Sequence, residues 1–146
     1  MYTLNVNGDR KPVELFREEY NVRGGRISPD GRFLGYNSDE SGRFQALVGP
    51  LNPPGKGQQI SKDPAAGGIM WREDSKELLF LSMPPVQAVM AVDIATSPEL
   101  HVGEPHLLFK LPSQIGAPAQ LSSVASRDGQ RFVFIVETPA ARADVE

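Results

Sequence analysis

Three segments of the chain superpose without a gap when aligned on Asp30, Asp74 and Asp128: GGRISPDGRFLGYNS, GIMWREDSKELLFLS and SSVASRDGQRFVFIV. Self-similarity of this kind constrains a fold more than any single motif, because each copy must be one supersecondary unit that buries its apolar surface against its neighbours. Every copy opens on a small residue (Gly24, Gly68, Ser122), continues through a turn tetrapeptide and ends in an apolar run. The turns are Ser28-Pro29-Asp30-Gly31, Arg72-Glu73-Asp74-Ser75 and Ser126-Arg127-Asp128-Gly129. Pro29 fixes φ for the first central position, an aspartate can bond the backbone just beyond it, and Gly31 or Gly129 tolerates a positive φ. Each unit therefore reads as strand, tight turn, strand. Ser75 replaces the glycine in the second copy, which predicts a turn of slightly different type there.

The runs after the turns, RFLGYNS, ELLFLSM and RFVFIVET, are nearly continuous in apolar residues. A strand apolar on both faces must be covered on both faces. In an all-β protein this happens when one small sheet lies between two others, as in the blades of a propeller. The following segments FQALVGPL and AVMAVDI are less uniformly apolar, and KGQQISKD and GEPHLLFKL mix in polar residues, as suits a last strand facing solvent. Thirteen Pro and fourteen Gly spread along the 146 residues leave little room for long helices. The turn aspartates are 44 and then 54 residues apart, against the ~40–50 residues of a typical blade. The longer interval has room for an insertion around LPSQIGAPAQ.

These repeats resemble the TolB-like branch of WD-type β-propeller repeats, on GGRISPDGRFLGYNSDESGRFQ, MWREDSKELLFLS and SRDGQRFVFIVETP. In particular they resemble the propeller region at the C-terminal end of bacterial transmembrane serine/threonine protein kinases. The resemblance covers nearly the whole chain and departs at Arg72-Glu73-Asp74-Ser75, which lacks the Pro and Gly. It implies a sensory or interaction module, commonly extracytoplasmic. It implies no kinase here, since the Gly-rich nucleotide loop, the His-Arg-Asp loop and Asp-Phe-Gly are absent from the sequence.

The expected fold is all-β: a partial β-propeller of about three four-stranded blades, out of phase with the chain. Residues 1–22 supply the outer strands of a first blade, 23–64 a second blade, 65–112 a third, 113–139 the inner strands of a last one, and 140–146 a tail. A helical reading of VELFREEY competes at the first of these, since Val13, Phe16 and Tyr20 fall on one helical face. Propellers run to at least ~4 blades, so three blades' worth of strands leave faces and edges open. Two copies joined by their end strands would make a six-bladed ring, and self-association is the expectation.

Net charge is −3, with 15 basic and 18 acidic residues intermingled, which argues against a nucleic-acid partner. Cysteine is absent, removing disulfides and thiolate chemistry while leaving the compartment undecided. The sequence shows no export signal and no apolar run near the ~18 residues of a membrane span, so the chain reads as soluble. Its first segment already reads as strand, as a piece of something longer would.

Few residues invite a chemical reading. Asp30, Asp74 and Asp128 could gather as metal or catalytic carboxylates, but turn capping explains them and separate blades would hold them apart. His101 and His106 with Glu104 lack a third placed ligand for zinc, and a solvent-exposed loop is the expectation. No Gly-x-Ser-x-Gly elbow occurs. Arg23 and Arg26 flank Gly24-Gly25 on an inner strand, where they could line a central funnel and hold an acidic group; the alternative is an ordinary solvated pair. Met70 and Val124 stand at Arg26's place in the other copies. Trp71 reads as packing between blades, with ligand stacking as the weaker alternative. The functional expectation is a non-catalytic module for protein interaction or ligand sensing, without cofactor, within a larger signalling protein. The alternatives are an accessory propeller of a peptidase-like hydrolase and a purely structural assembly element.

Overall fold

The computed structural model describes residues 1–82, 87–95, 99–112 and 123–134, and none of these is helical. The segment VELFREEY contributes only a short strand. A hairpin of β1 (Tyr2–Thr3) and β2 (Val13–Glu14) is followed by a four-stranded antiparallel sheet of β3 (Val22–Ile27), β4 (Phe33–Ser38), β5 (Gln45–Pro50) and β6 (Gln58–Gln59) in sequence order. A third sheet holds β7 (Ala65–Trp71), β8 (Glu77–Ser82), β9 (Ala88–Ala95), β10 (His101–Val102) and β11 (His106–Lys110). A last hairpin pairs β12 (Ser123–Ala125) with β13 (Phe132–Phe134).

The third sheet corrects the expectation of four strands. β10 and β11 lie along one edge of β9, pairing His101 with Ala95, Val102 with Ile94, and then His106 with Ala91 through Lys110 with Ala88. They occupy the place of a single fourth strand broken at Gly103-Glu104-Pro105, where Pro105 has no N–H to donate. The expected insertion falls mostly on 113–120, outside the described residues.

Alternation along the middle strands explains the stacking. Phe33 on β4 faces the third sheet, joining Val48, Ile69, Leu78, Phe80, Val92 and Ile94 in one apolar seam. Leu34 and Tyr36 face the other way, onto Met1, Leu15 and Phe16 at the first hairpin. On β8 the same parity sends Leu78 and Phe80 toward the second sheet, and Leu79 and Leu81 toward Phe109, Phe132 and Phe134. A strand with side chains of period two can fill two cores only if both are apolar, and this is why the runs do not alternate. The exposed ends of the stack differ: Val133 on β13 is 63% exposed and Tyr2 and Val13 are each 56% exposed.

All three turns share one geometry, which corrects the expectation for Ser75. Gly31 (φ 73°), Ser75 (φ 58°) and Gly129 (φ 69°) are all left-handed, and each donates its N–H to the first residue of its tetrapeptide, Ser28, Arg72 or Ser126. A non-glycine residue there costs about 1–2 kcal/mol. Ser75 offsets it through its neighbour, because its buried Oγ accepts the N–H of Asp30 at 3.1 Å. Ser75→Ala, which keeps the strain and loses the bond, is expected to cost about 1–2 kcal/mol. Ser75→Gly, which loses both, is expected to fall within about 1 kcal/mol of the parent. Urea unfolding of the two variants checks the order.

Candidate binding site

The turns form a column. Asp30 meets Ser75, Glu73 donates its N–H to the Arg127 carbonyl at 3.0 Å, and the Arg127 guanidinium lies 3.5 Å from the Glu73 carboxylate. Successive turns thus touch through Ser75, Glu73 and Arg127. Their aspartates nonetheless serve their own loops. Asp30 Oδ1 accepts from Ser28 Oγ and the Arg32 N–H, Asp74 Oδ1 from the Lys76 N–H, and Asp128 Oδ1 from Ser126 Oγ and the Gln130 N–H. Among the described residues no group of three His, Cys, Asp or Glu is placed to hold a metal ion.

The Ser126 hydroxyl, then the Gln130 N–H, hold the Asp128 carboxyl below its usual value. A folded-state pKa below the unfolded one gives stability that is present above the ordinary aspartate range and lost as pH falls through the folded value. The third turn is accordingly expected to loosen only below the ordinary aspartate range. Carboxyl NMR titration checks this through an Asp128 midpoint lower than that of a free aspartate.

His101 and His106 are exposed on the broken fourth strand, and Glu104 between them pairs with Lys62. Trp71 packs in the seam between the two large sheets and donates Nε1–H to the Arg26 carbonyl at 3.0 Å.

β3 carries the geometry of most interest. Arg23 pairs with Asn37 and Arg26 with Gly35, so two residues, Gly24 and Gly25, stand opposite the single Tyr36. This is a β-bulge with Gly24 left-handed at φ 69°. The same device returns on β7, where Gly67 pairs with Leu81, Met70 with Leu79, and Gly68 has φ 66°. The small residue opening each of these two units is thus the bulge residue. The bulge also reverses a side chain: residues i and i+3 of a regular strand lie on opposite faces, whereas Asn37 and Gly35, two apart, share one face and bring their partners Arg23 and Arg26 onto it. Arg23 lies over the Phe44 ring, 3.5 Å from its centroid. Its Nε is buried without a hydrogen-bond partner, and so is Asn37 Oδ1. Arg26 is exposed and donates to the Gly25 carbonyl at 3.1 Å. Neither Asn37 nor Phe44 carried a signal in the sequence, because their role depends on the register across the bulge.

Sheets of this size stacked face to face, with the fully buried strand second in each large sheet, define a partial β-propeller. Its fold is TolB-like. The chain is similar to a protein named as a TolB from Agrobacterium tumefaciens, at 21% identity and TM-score 0.59, over 75% of this chain and 40% of that one. It is also similar to TolB from Acinetobacter baumannii, at 12% identity and TM-score 0.56, over 96% of this chain and 43% of that one. The chain thus spans about two-fifths of the length of these structures. No protein-family model matches it, and no curated protein does.

Proposed function

We propose that the chain is a β-propeller module that acts by binding proteins and has no catalysis of its own. The observation that carries this reading is how the repeated residues are used: each turn aspartate is engaged by its own loop, and the apolar runs are spent on the seams between sheets. The TolB-like fold is in keeping with it. The resemblance to kinase-associated propellers favours a place in a signalling protein.

Residues 23–64 and 65–112 act in this reading as whole blades, and 1–22 and 113–139 as partial ones. The end hairpins each show two strands among the described residues, with Tyr2, Val13 and Val133 exposed. A second copy, bringing its first hairpin to the last hairpin of its partner, makes complete blades and a two-fold ring. Hydrogen exchange tests this directly. Amides of β13 and β1 are expected to exchange more slowly as protein concentration rises, while those of β4 and β8 do not change. Concentration-independent exchange at both ends would remove the self-association.

A further inference from the structure

We propose that the bulge of β3 is a binding site for a carboxylate carried on a peptide, with Arg23 and Arg26 holding the acid and Asn37 accepting the N–H beside it. The inference rests on the reading of the chain as a binding module and names the ligand class of one site on it.

The repeat supplies the first reason. The same bulge on β7 is built with Gly67 and Met70 in place of Arg23 and Arg26, and with Leu81 in place of Asn37. Met70 and Leu81 are buried there, in the seam facing the last hairpin. The scaffold therefore forms with no polar side chain at these positions, and the polar set on β3 needs another explanation.

Its cost supplies the second. Asn37 is 0% exposed, and its amide nitrogen donates to the Gln45 carbonyl at 3.4 Å, which fixes its orientation and leaves Oδ1 unpaired. A Cβ built on Gly24 would lie 3.5 Å from that oxygen, so Oδ1 sits directly beneath the bulge. A buried polar atom without a partner lowers stability, as does the unpaired Nε of Arg23. An acceptor for Arg23 Nε and a donor for Asn37 Oδ1, side by side, are what a carboxylate with a neighbouring amide N–H provides.

Charge supplies the third. Neither Arg23 nor Arg26 forms an ion pair with a carboxylate among the described residues. Asp39, whose pKa the Arg23 charge helps to lower, has its oxygens engaged by the Asn21 N–H at 2.8 Å and the Asn21 amide at 2.7 Å. Stacking on Phe44 holds the Arg23 guanidinium in one plane, ready for a bidentate contact. Asn37 Oδ1 lies under the bulge, and in this proposal the freedom of glycine at 24 and 25 lets the backbone open to a ligand.

The test is an NMR titration of the full chain with N-acetylglycine, following the Arg23 Nε–H signal and the Asn37 side-chain amide. Both are expected to shift saturably, with affinity about tenfold weaker for N-acetylglycinamide, which lacks the charge, and for acetate, which lacks the N–H. Arg23→Gln should abolish the Asn37 shift, and Arg26→Gln, on an exposed side chain, should weaken binding without changing the fold. No saturable shift, equal response to N-acetylglycinamide, or a long-lived water bridging both atoms with no response to N-acetylglycine would each overturn the site. A chain that fails this titration yet shows concentration-dependent exchange at β1 and β13 loses the site and keeps the propeller reading.

Discussion

Phe80→Ala is expected to lower the unfolding free energy by about 3–5 kcal/mol, the range for removing a fully buried phenylalanine. Phe80 is the largest of the fully buried side chains and lies in the seam between the two large sheets, with Phe33, Val48 and Ile94 around it. The cluster is built of apolar side chains, and backbone hydrogen bonds on both edges of β8 keep the strand from collapsing into the space. A domain of this size has about 5–15 kcal/mol to lose, so the variant forfeits a large part of its stability. Phe132→Ala, at the half-buried outer hairpin, removes less apolar burial and should cost less than half as much. Urea unfolding of both variants gives the comparison. Equal losses, or a Phe80→Ala cost below about 1 kcal/mol, would mean that the sheets do not stack through this seam.

The second large effect is expected at Gly57. A Cβ there would lie 2.2 Å from the Tyr36 hydroxyl oxygen and 2.9 Å from Cζ. Tyr36 cannot step aside easily, since it is buried in the seam beneath the first hairpin with its ring 5.3 Å from that of Phe16. Burial pushes the phenol's pKa up. Gly57 is not in the left-handed region, so alanine at this position would ordinarily gain through the unfolded chain. The clash decides the sign: Gly57→Ala should cost about 1–3 kcal/mol or more. A double-mutant cycle isolates the cause. In the Tyr36→Phe background the offending oxygen is gone, and the alanine should cost clearly less than in the parent. An equal cost in both backgrounds would place the damage elsewhere.

The architecture was legible because repetition exposes it. Alignment on Asp30, Asp74 and Asp128 located the inner hairpins, and the unbroken apolar runs after them marked β4 and β8 as covered on both faces. What escaped depended on partners distant in sequence. Ser75 keeps the glycine-like turn because its hydroxyl meets Asp30, 45 residues earlier. Arg23 and Arg26 share a face only because two glycines stand opposite Tyr36. The break in the fourth strand of the third sheet was written in Gly103-Glu104-Pro105, but its meaning needed the edge of β9 on which both pieces lie. The arginines were visible as candidates; Asn37 and Phe44, which give Arg23 its setting, were not.

The open ends of the sheet stack lead to the most direct measurement, the solution mass by light scattering on a size-exclusion column. Two partial propellers closing one ring predict a species of twice 15.9 kDa, and Val133→Arg, placing a charge on the exposed face of β13, should return it to a single chain. A mass of 15.9 kDa at every concentration would contradict closure by a second copy.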